Sequence, residues 1–515
     1  MSTRRGVLTA VALGSVGAAA LALLHANAPV AVHAEPPIDT RDVTGPPSTS
    51  RAEPTIAVDE AVLDAALGRA SWLAIGGGAW PEALQVQIEQ DIGLAAEVLG
   101  GDGVVLFGAG AGAPVVQVQR PGVERDRIGA ALSDLFAPRG GRDATYRAPR
   151  IDVDAEATAA RVHAALERAL ADGDEPLFVF VAGHGEMGAT AKENRLSLWA
   201  GSSITAVELA GTLDRAQRPM RLVMTTCFSG GFAELAFVGA DDTGAVASAP
   251  RCGLFASTWD LEASGCDPNP DRGAQEGYAL HFLGALRGRD RDGGELAVAT
   301  LDLDGDGTVG LLDAHTRVRI ASGGVDVPTT TSERWLRARA PTDGPTVEIE
   351  LPEEDAVIAA LGERLGLDEV AATSRLATLE DSIEQAQAEV DRTRAGEDEA
   401  YRAAAAELLS RWPILDDPWH PEFATTFRGQ RDAIGEVLDR SPHWAAYVAA
   451  REAAGVAAAK HGDLAVAAAP VERLVRAIET KALAGRLAAA RGPAFDTWER
   501  LRTCERWTPP RGHKR

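Results

Sequence analysis

Two short segments of this 515-residue chain each end an apolar run with a small-residue turn that carries one reactive side chain. Residues 178–185 read FVFVAGHG, and residues 222–231 read LVMTTCFSGG. A thiol attacks a carbonyl carbon as the thiolate, and a neighbouring imidazole can take its proton and return it to the leaving amine. The two segments predict a cysteine hydrolase with Cys227 as the nucleophile and His184 as the general acid and base.

The elements between these segments decide whether the thiol and the imidazole meet. Residues 204–215 have a helical pattern and separate the two apolar runs, so a strand–helix–strand unit with parallel strands is predicted. Both turns then lie at the same carboxyl edge of the sheet. The joint pattern carries the prediction, because either residue alone is more often structural than catalytic.

Strand and helix patterns alternate over residues 66–345. Apolar runs at 72–75, 104–108 and 253–257 predict further strands. Helical patterns cover residues 81–99, 155–171 and 277–287. The alternation predicts an α/β fold with a mostly parallel sheet that helices cover on both faces.

The chain changes character at residue 353. From there to residue 515 the Ala-, Glu- and Arg-rich sequence predicts an all-α C-terminal domain. Apolar residues between 376 and 390 recur at steps of three and four, which predicts a coiled helical hairpin. We expect it to pack on the sheet domain or to bind a protein partner. Residues 35–65, rich in Pro, Thr and Asp, are predicted to be a flexible linker.

Residues 1–34 have the features of an export signal peptide. Arg4 and Arg5 precede an apolar run over 7–24, and small residues lead to a cleavage site after Ala34. The paired arginines are similar to a twin-arginine signal, with valine where an aromatic residue is usual. An uncleaved membrane anchor is the alternative. We expect export to the periplasm or the extracellular space, and no membrane segment after cleavage. The net charge of −24 argues against nucleic acid as a partner.

The order of apolar run and His-Gly, crossover helix, then apolar run and Cys-x-Ser-Gly resembles the caspase-like cysteine peptidases. This group holds caspases, legumains, gingipains and metacaspases. The resemblance covers residues 66–341, and the legumain-like branch is nearest because its nucleophile stands in a Cys-x-Ser-Gly turn. It implies a caspase-like three-layer sandwich and hydrolysis of a peptide bond. By this resemblance Cys227 is the nucleophile, His184 the general acid and base, and the amides of Gly185 and Cys227 form the oxyanion hole.

Two departures from this group bear on the substrate. Thr225 and Thr226 precede the cysteine, where the families of the group have other residues. The loop over 76–85 lacks the arginine that helps caspases and legumains to bind an acidic or amide side chain. A preference for Asp or Asn before the cut is therefore unsupported. Asp260 and Glu262 are predicted to line the first specificity pocket, where acidic groups favour Arg or Lys.

Residues 302–313 (DLDGDGTVGLLD) have the spacing of an EF-hand-type calcium loop, and we expect one structural calcium ion there. The predicted ligands are Asp302, Asp304, Asp306, the carbonyl of Thr308, a water at Gly310, and Asp313. Residues 295–301 have a strand pattern, so a paired EF-hand is not predicted. The alternative is an Asp- and Gly-rich turn without a metal.

Export permits disulfides, and four cysteines allow three full connectivities. Cys252 and Cys266 are close in sequence and flank a loop, so they form the predicted bridge. Cys227 is then free and Cys504 is left over.

The sequence predicts an exported cysteine endopeptidase that cleaves a protein or peptide through a Cys227–His184 dyad. Two alternatives stay open. One is a catalytically silent caspase-like scaffold that binds partners, and the other is a legumain-like transamidase.

Overall fold

The computed structural model describes residues 58–119, 126–136, 144–247, 250–417 and 420–509. The predicted signal peptide (1–34) lies outside these residues, as does most of the predicted linker (35–65). The described part of that linker is not irregular throughout, because a helix begins at Glu60 and buries Leu63 in the core.

The described chain has strands in its first two thirds and helices throughout. The strands are β1 (Trp72–Gly76), β2 (Gly103–Phe107), β3 (Val116–Gln119), β4 (Ala144–Arg147), β5 (Leu177–Ala182), β6 (His184–Glu186), β7 (Arg195–Leu198), β8 (Ser202–Thr205), β9 (Met220–Met224), β10 (Arg251–Phe255) and β11 (Thr329–Thr330). The helices are α1 (Glu60–Leu67), α2 (Val86–Leu99), α3 (Arg127–Phe136), α4 (Ala159–Ala169), α5 (Ala206–Leu213), α6 (Tyr278–Arg287), α7 (Val298–Leu301), α8 (Leu311–Ala321), α9 (Thr331–Arg339), α10 (Pro352–Leu365), α11 (Glu369–Leu409), α12 (Phe423–Arg440), α13 (Pro442–Ala490) and α14 (Pro493–Glu505).

Six strands form one central sheet in the order β11-β10-β9-β5-β1-β2. All neighbours in it are parallel except β10 and β11. This confirms the predicted α/β fold with a mostly parallel sheet. Strands β5 and β9 are direct neighbours, with Val181 opposite Met224, so the ends that precede His184 and Cys227 lie side by side.

Helix α5 provides the crossover between these two strands. It begins at Ala206 because Thr205 and Glu208 form a capping box, in which the Thr205 hydroxyl accepts from the Glu208 N–H and the Glu208 carboxylate accepts from the Thr205 N–H. The crossover was predicted over 204–215, and the helix occupies its central part.

Side chains alternate between the two faces of the sheet, and helices cover both. Leu73 and Val179 belong to a core cluster shared with α1, α4 and α5. Ala74 and Phe180 belong to a second cluster shared with α2, α6 and α8. Two buried faces explain why these strands read as continuous apolar runs.

Helices dominate the C-terminal region, as predicted. Helices α11 and α13 have 41 and 49 residues and pack side by side. Leu379 packs with Ala468, and Val390 with Ala457, so the pair is antiparallel, in agreement with the predicted coiled hairpin. Within the described ranges, no helix is both long and apolar enough to cross a membrane.

A disulfide joins this helical region to the sheet, and it is not the predicted one. Cys252 of β10 is bonded to Cys504 of α14, whereas Cys266 is free. The predicted Cys252–Cys266 bridge is therefore wrong. Cys252 lies near the start of β10, while Cys266 follows beyond its carboxyl end, so closeness in sequence did not mean closeness in space. Just past the bridge, the Trp507 ring stacks on Phe178 with a centroid distance of 6.1 Å.

Candidate active site

The turns that carry His184 and Cys227 pack against each other at the carboxyl edge of the sheet. Strand β5 ends at Ala182 and the short strand β6 begins at His184, while β9 ends three residues before Cys227. Gly185 lies so close to the Cys227 carbonyl that a Cβ on Gly185 would stand 2.0 Å from that oxygen. Only glycine permits this approach, which brings the two predicted catalytic segments together.

His184 is half-buried and contacts the side chain of Gln85, a residue that the sequence analysis did not single out. The Gln85 Oε1 lies 2.9 Å from the His184 Nε2, and the Gln85 Nε2 donates to the Glu82 carbonyl at 2.9 Å. Gln85 stands in the loop that follows β1, the other neighbour of β5. A side chain from that loop is therefore well placed to reach the histidine, although the sequence does not indicate which one.

Cys227 is half-buried beneath the loop that follows β10. Its sulfur accepts from the Ala263 N–H at 3.3 Å and lies 3.5 Å from the Ala263 carbonyl. Burial, and then the nearby Glu262 carboxylate, raise the pKa of the Cys227 thiol to about 12. The resting sulfur is therefore a thiol rather than a preformed thiolate.

The backbone after Cys227 has an unusual conformation. Phe228 has φ of +57°, in the left-handed region, and its N–H donates to the Leu261 carbonyl at 2.8 Å. A 3₁₀ segment over Ser229–Ala236 follows. Two glycines close to its start explain why a regular α-helix does not begin there.

Cys266 brings a second thiol to this edge of the sheet. Its sulfur lies 3.8 Å from the carbonyl of Gly183, the residue before His184. Burial, followed by the charge of Cys227, raises the pKa of this thiol well above its usual value. The residue predicted to form a disulfide thus lies next to the candidate catalytic pair.

The acidic residues proposed for the specificity pocket lie in the same loop as Ala263. Asp260 accepts from the Thr258 hydroxyl at 2.8 Å, and Glu262 is near enough to influence the Cys227 pKa. Asp326, which no sequence pattern singles out, is fully buried and accepts from the Ser264 N–H at 2.9 Å. Burial raises the pKa of Asp326 to about 6.

The helical region borders this loop. Burial raises the pKa of Glu472 in α13 to about 7. The charge of Arg476 lowers this pKa, and the charge of Asp260 raises it further. Its neighbour Arg473 is buried and donates to the carbonyls of Val318 and Ser322. Helix α13 is therefore bonded to the end of α8 and to Ser322, whose hydroxyl donates to Asp326 at 3.1 Å.

The predicted calcium loop brings three of its four carboxylates together. Asp302, Asp304 and Asp306 each offer an oxygen within 4.8 Å of the others. The Asp302 carboxylate also accepts from the amides of Gly305 and Gly307, which curls the loop around it. Three convergent carboxylates suit calcium, a hard cation that takes oxygen ligands.

Asp313 is not part of this group. Its two carboxylate oxygens accept from the N–H groups of Leu303 and Gly310, so it closes the loop and caps α8. The segment before the loop contains the short helix α7, so the predicted strand over 295–301 is wrong. The Thr308 hydroxyl donates to Asp306 and lies 3.0 Å from the hydroxyl of Thr508 in the C-terminal segment.

Comparisons of the chain with family models, with curated proteins and with solved structures found no match. The functional assignment therefore depends on the residues and their geometry.

Proposed function

We propose that the protein is an exported cysteine endopeptidase of the caspase-like group, with Cys227 as the nucleophile and His184 as the general acid and base. The observation that supports this most directly is the packing of the two turns: Gly185, next to the histidine, lies against the carbonyl of the cysteine itself. The mostly parallel sheet and its helical layers are compatible with such a fold.

The reaction follows from the two side chains. His184 takes the proton from the Cys227 thiol as the sulfur bonds to the substrate carbonyl carbon. The tetrahedral oxyanion is stabilised by the amides of Gly185 and Cys227. The C–N bond then breaks as the imidazolium gives its proton to the leaving amine. Water, deprotonated by His184, attacks the thioester and releases the carboxylic acid and the thiol.

The charge around the sulfur favours a basic residue before the cut. Glu262 and Asp326 both raise the Cys227 pKa, so the nucleophile stands in a negative field. A Lys or Arg side chain that enters this field lowers the cost of forming the thiolate, whereas an acidic side chain raises it. The specificity predicted from Asp260 and Glu262 thus agrees with the electrostatics of the site.

The test is turnover of a fluorogenic peptide library that varies the residue before the cut, by the mature protein and its Cys227→Ala variant. We expect cleavage after Arg or Lys that the substitution abolishes. Equal signals from both proteins, or no signal from folded, reduced protein, would favour the silent scaffold. A ligated product that forms when an amine is added would favour the transamidase.

We also propose a structural calcium ion held by Asp302, Asp304 and Asp306. Bound there, it would neutralise three converging negative charges and fix the loop that packs on the C-terminal segment through Thr308 and Thr508. The ion has no part in the cleavage steps. The helical hairpin stays a candidate surface for a protein partner.

A further inference from the structure

A buried asparagine links the loops that carry the candidate catalytic groups. Asn194 is fully buried and directly precedes β7. Its Oδ1 accepts from the Gly188 N–H at 2.9 Å, in the turn that follows the His184 strand. Its Nδ2 donates to the Phe228 carbonyl at 2.9 Å and to the Trp259 carbonyl at 2.6 Å.

Each of these partners belongs to a different part of the site. Gly188 follows the strand of His184, Phe228 is bonded to the proposed nucleophile, and Trp259 lies in the loop that covers the sulfur. The side chain of Asn194 thus joins the turn after His184, the turn that carries Cys227 and the loop that covers the sulfur.

The contact with Phe228 helps to hold an unusual backbone conformation, because Phe228 has φ of +57°. A bulky residue in the left-handed region is strained, so this conformation persists only where the surroundings impose it. The N–H of Phe228 donates to Leu261, and its carbonyl accepts from Asn194 and from the Gly231 N–H. Hydrogen bonds therefore hold Phe228 at both its N–H and its carbonyl.

Asn194 itself has little freedom to move. Its N–H donates to the Ala191 carbonyl at 3.2 Å, and its carbonyl accepts from the N–H of Ala206, the first residue of the crossover helix α5. A Cβ on Gly231 would stand 2.6 Å from the Asn194 Nδ2. Both amide protons have acceptors, and a carboxylate in the same place would face two carbonyl oxygens.

We propose that Asn194 is a positioning residue of the peptidase, which holds the Cys227 turn in register with His184. The proposal deepens the proposed function and rests on it. Loss of the two donated hydrogen bonds frees the turn to shift, and a shift of about 1 Å in a catalytic group can cost about 100-fold in rate. Substrate affinity depends mainly on the pocket and changes less.

The test compares Asn194→Asp with Gln275→Glu. Gln275 is an equally buried amide whose Nε2 donates to Gln90 and to the Asn269 carbonyl, so its substitution removes the same kind of donor elsewhere. For Asn194→Asp we expect kcat to fall about 100-fold with KM within about threefold, and for Gln275→Glu little change in kcat. If Asn194→Asp does not fold, the milder Asn194→Ser replaces it, and kcat and KM are measured at low temperature.

The second readout is the rate at which iodoacetamide alkylates Cys227 between pH 7 and 11. It needs no turnover, so it reports on the position of the sulfur even if peptidase activity is absent. A changed pH profile in the Asn194 variants, but not in Gln275→Glu, supports the proposal. Unchanged alkylation, with kcat falling only in parallel with Tm in both variants, would overturn it and leave Asn194 a purely structural residue.

Discussion

The side-chain oxygen of Gln85 lies 2.9 Å from the Nε2 of His184. The amide cannot be turned round without losing the bond that its Nε2 donates to the Glu82 carbonyl, so Gln85 must accept from the imidazole. The neutral ring therefore carries its proton on Nε2, which leaves Nδ1 as the nitrogen that would take the thiol proton in the proposed reaction. An amide thus sets the tautomer of the candidate base.

Replacing Gln85 by glutamate is predicted to shift the pH dependence of cleavage. A carboxylate beside the ring stabilises the imidazolium, so the pKa of His184 rises and the acidic limb of the kcat/KM profile moves to higher pH. Gln85→Ala, the matched control, removes the acceptor without adding charge and should lower kcat by about tenfold or more with a smaller shift of that limb. Superimposable profiles for the three proteins would contradict the tautomer assignment.

The raised pKa of Cys227 predicts slow reaction with alkylating reagents at neutral pH. A thiol of pKa about 12 is almost entirely protonated at pH 7, so alkylation should still be accelerating at pH 10. Glu262→Gln removes a negative charge near the sulfur and should lower the pKa and speed the reaction at pH 8. The rates are measured in the Cys266→Ser background, where Cys227 is the free cysteine, and mass spectrometry confirms which residue carries the adduct. A rate that already levels off near pH 7 would show a preformed thiolate and refute this prediction.

The candidate pair could be found from the sequence because two short-range patterns met a simple rule of topology. Parallel neighbours joined by one crossover must end at the same edge, which brought His184 and Cys227 together without knowledge of the rest. Gln85 and Asn194 carry no such pattern. Each contacts the site through one side-chain amide: that of Gln85 contacts His184, 99 residues away, and that of Asn194 contacts Phe228 and Trp259, 34 and 65 residues away. Amides of this kind are common in loops that do no chemistry.

The same limit explains the errors elsewhere. The partner of Cys252 is 252 residues away, and only the packing of α14 on β10 brings it near. In the predicted calcium loop the spacing identified three converging carboxylates, but Asp313 instead accepts hydrogen bonds from two backbone N–H groups. An aspartate at that position is shorter than glutamate, and backbone donors within its reach compete for its oxygens.

The disulfide is predicted to fasten the helical region to the sheet domain. Cys504→Ser should lower the free energy of unfolding by about 2–5 kcal/mol, because the bond closes a very long loop in the unfolded chain. Urea denaturation with and without reductant measures this. Cys266→Ser is the control and should change stability far less. If reductant lowers the midpoint of Cys504→Ser as much as that of the unmodified protein, the bridge lies elsewhere.

Calcium is predicted to stabilise the protein through the Asp302 loop. Calcium added to chelator-treated protein should raise Tm, since a ligand at 100 times its Kd contributes about 2.7 kcal/mol. Asp304→Asn removes one converging carboxylate and should abolish most of that rise. Asp313→Asn disturbs the cap of α8 and should lower Tm to a similar extent with and without calcium. A Tm that does not respond to calcium would leave the loop as a turn without a metal.

Stability is predicted to fall between about pH 5 and pH 8 because of Glu505, the last residue of α14. Burial raises the pKa of this fully buried carboxyl to about 7, although bonds from Ser332 and Thr331 at the start of α9 partly oppose the shift. The folded protein therefore retains a proton that the unfolded chain releases near pH 4.5. The stability from this group is complete below pH 4.5 and is lost as the pH rises through 7.

The test is Glu505→Gln, whose side chain cannot titrate. The free energy of unfolding of the variant minus that of the unmodified protein should be about 1–3 kcal/mol more positive at pH 8 than at pH 5. Urea curves at the two pH values measure the difference. An unaltered slope in the variant would mean that Glu505 is ionised in the folded state, with its charge balanced by Arg502.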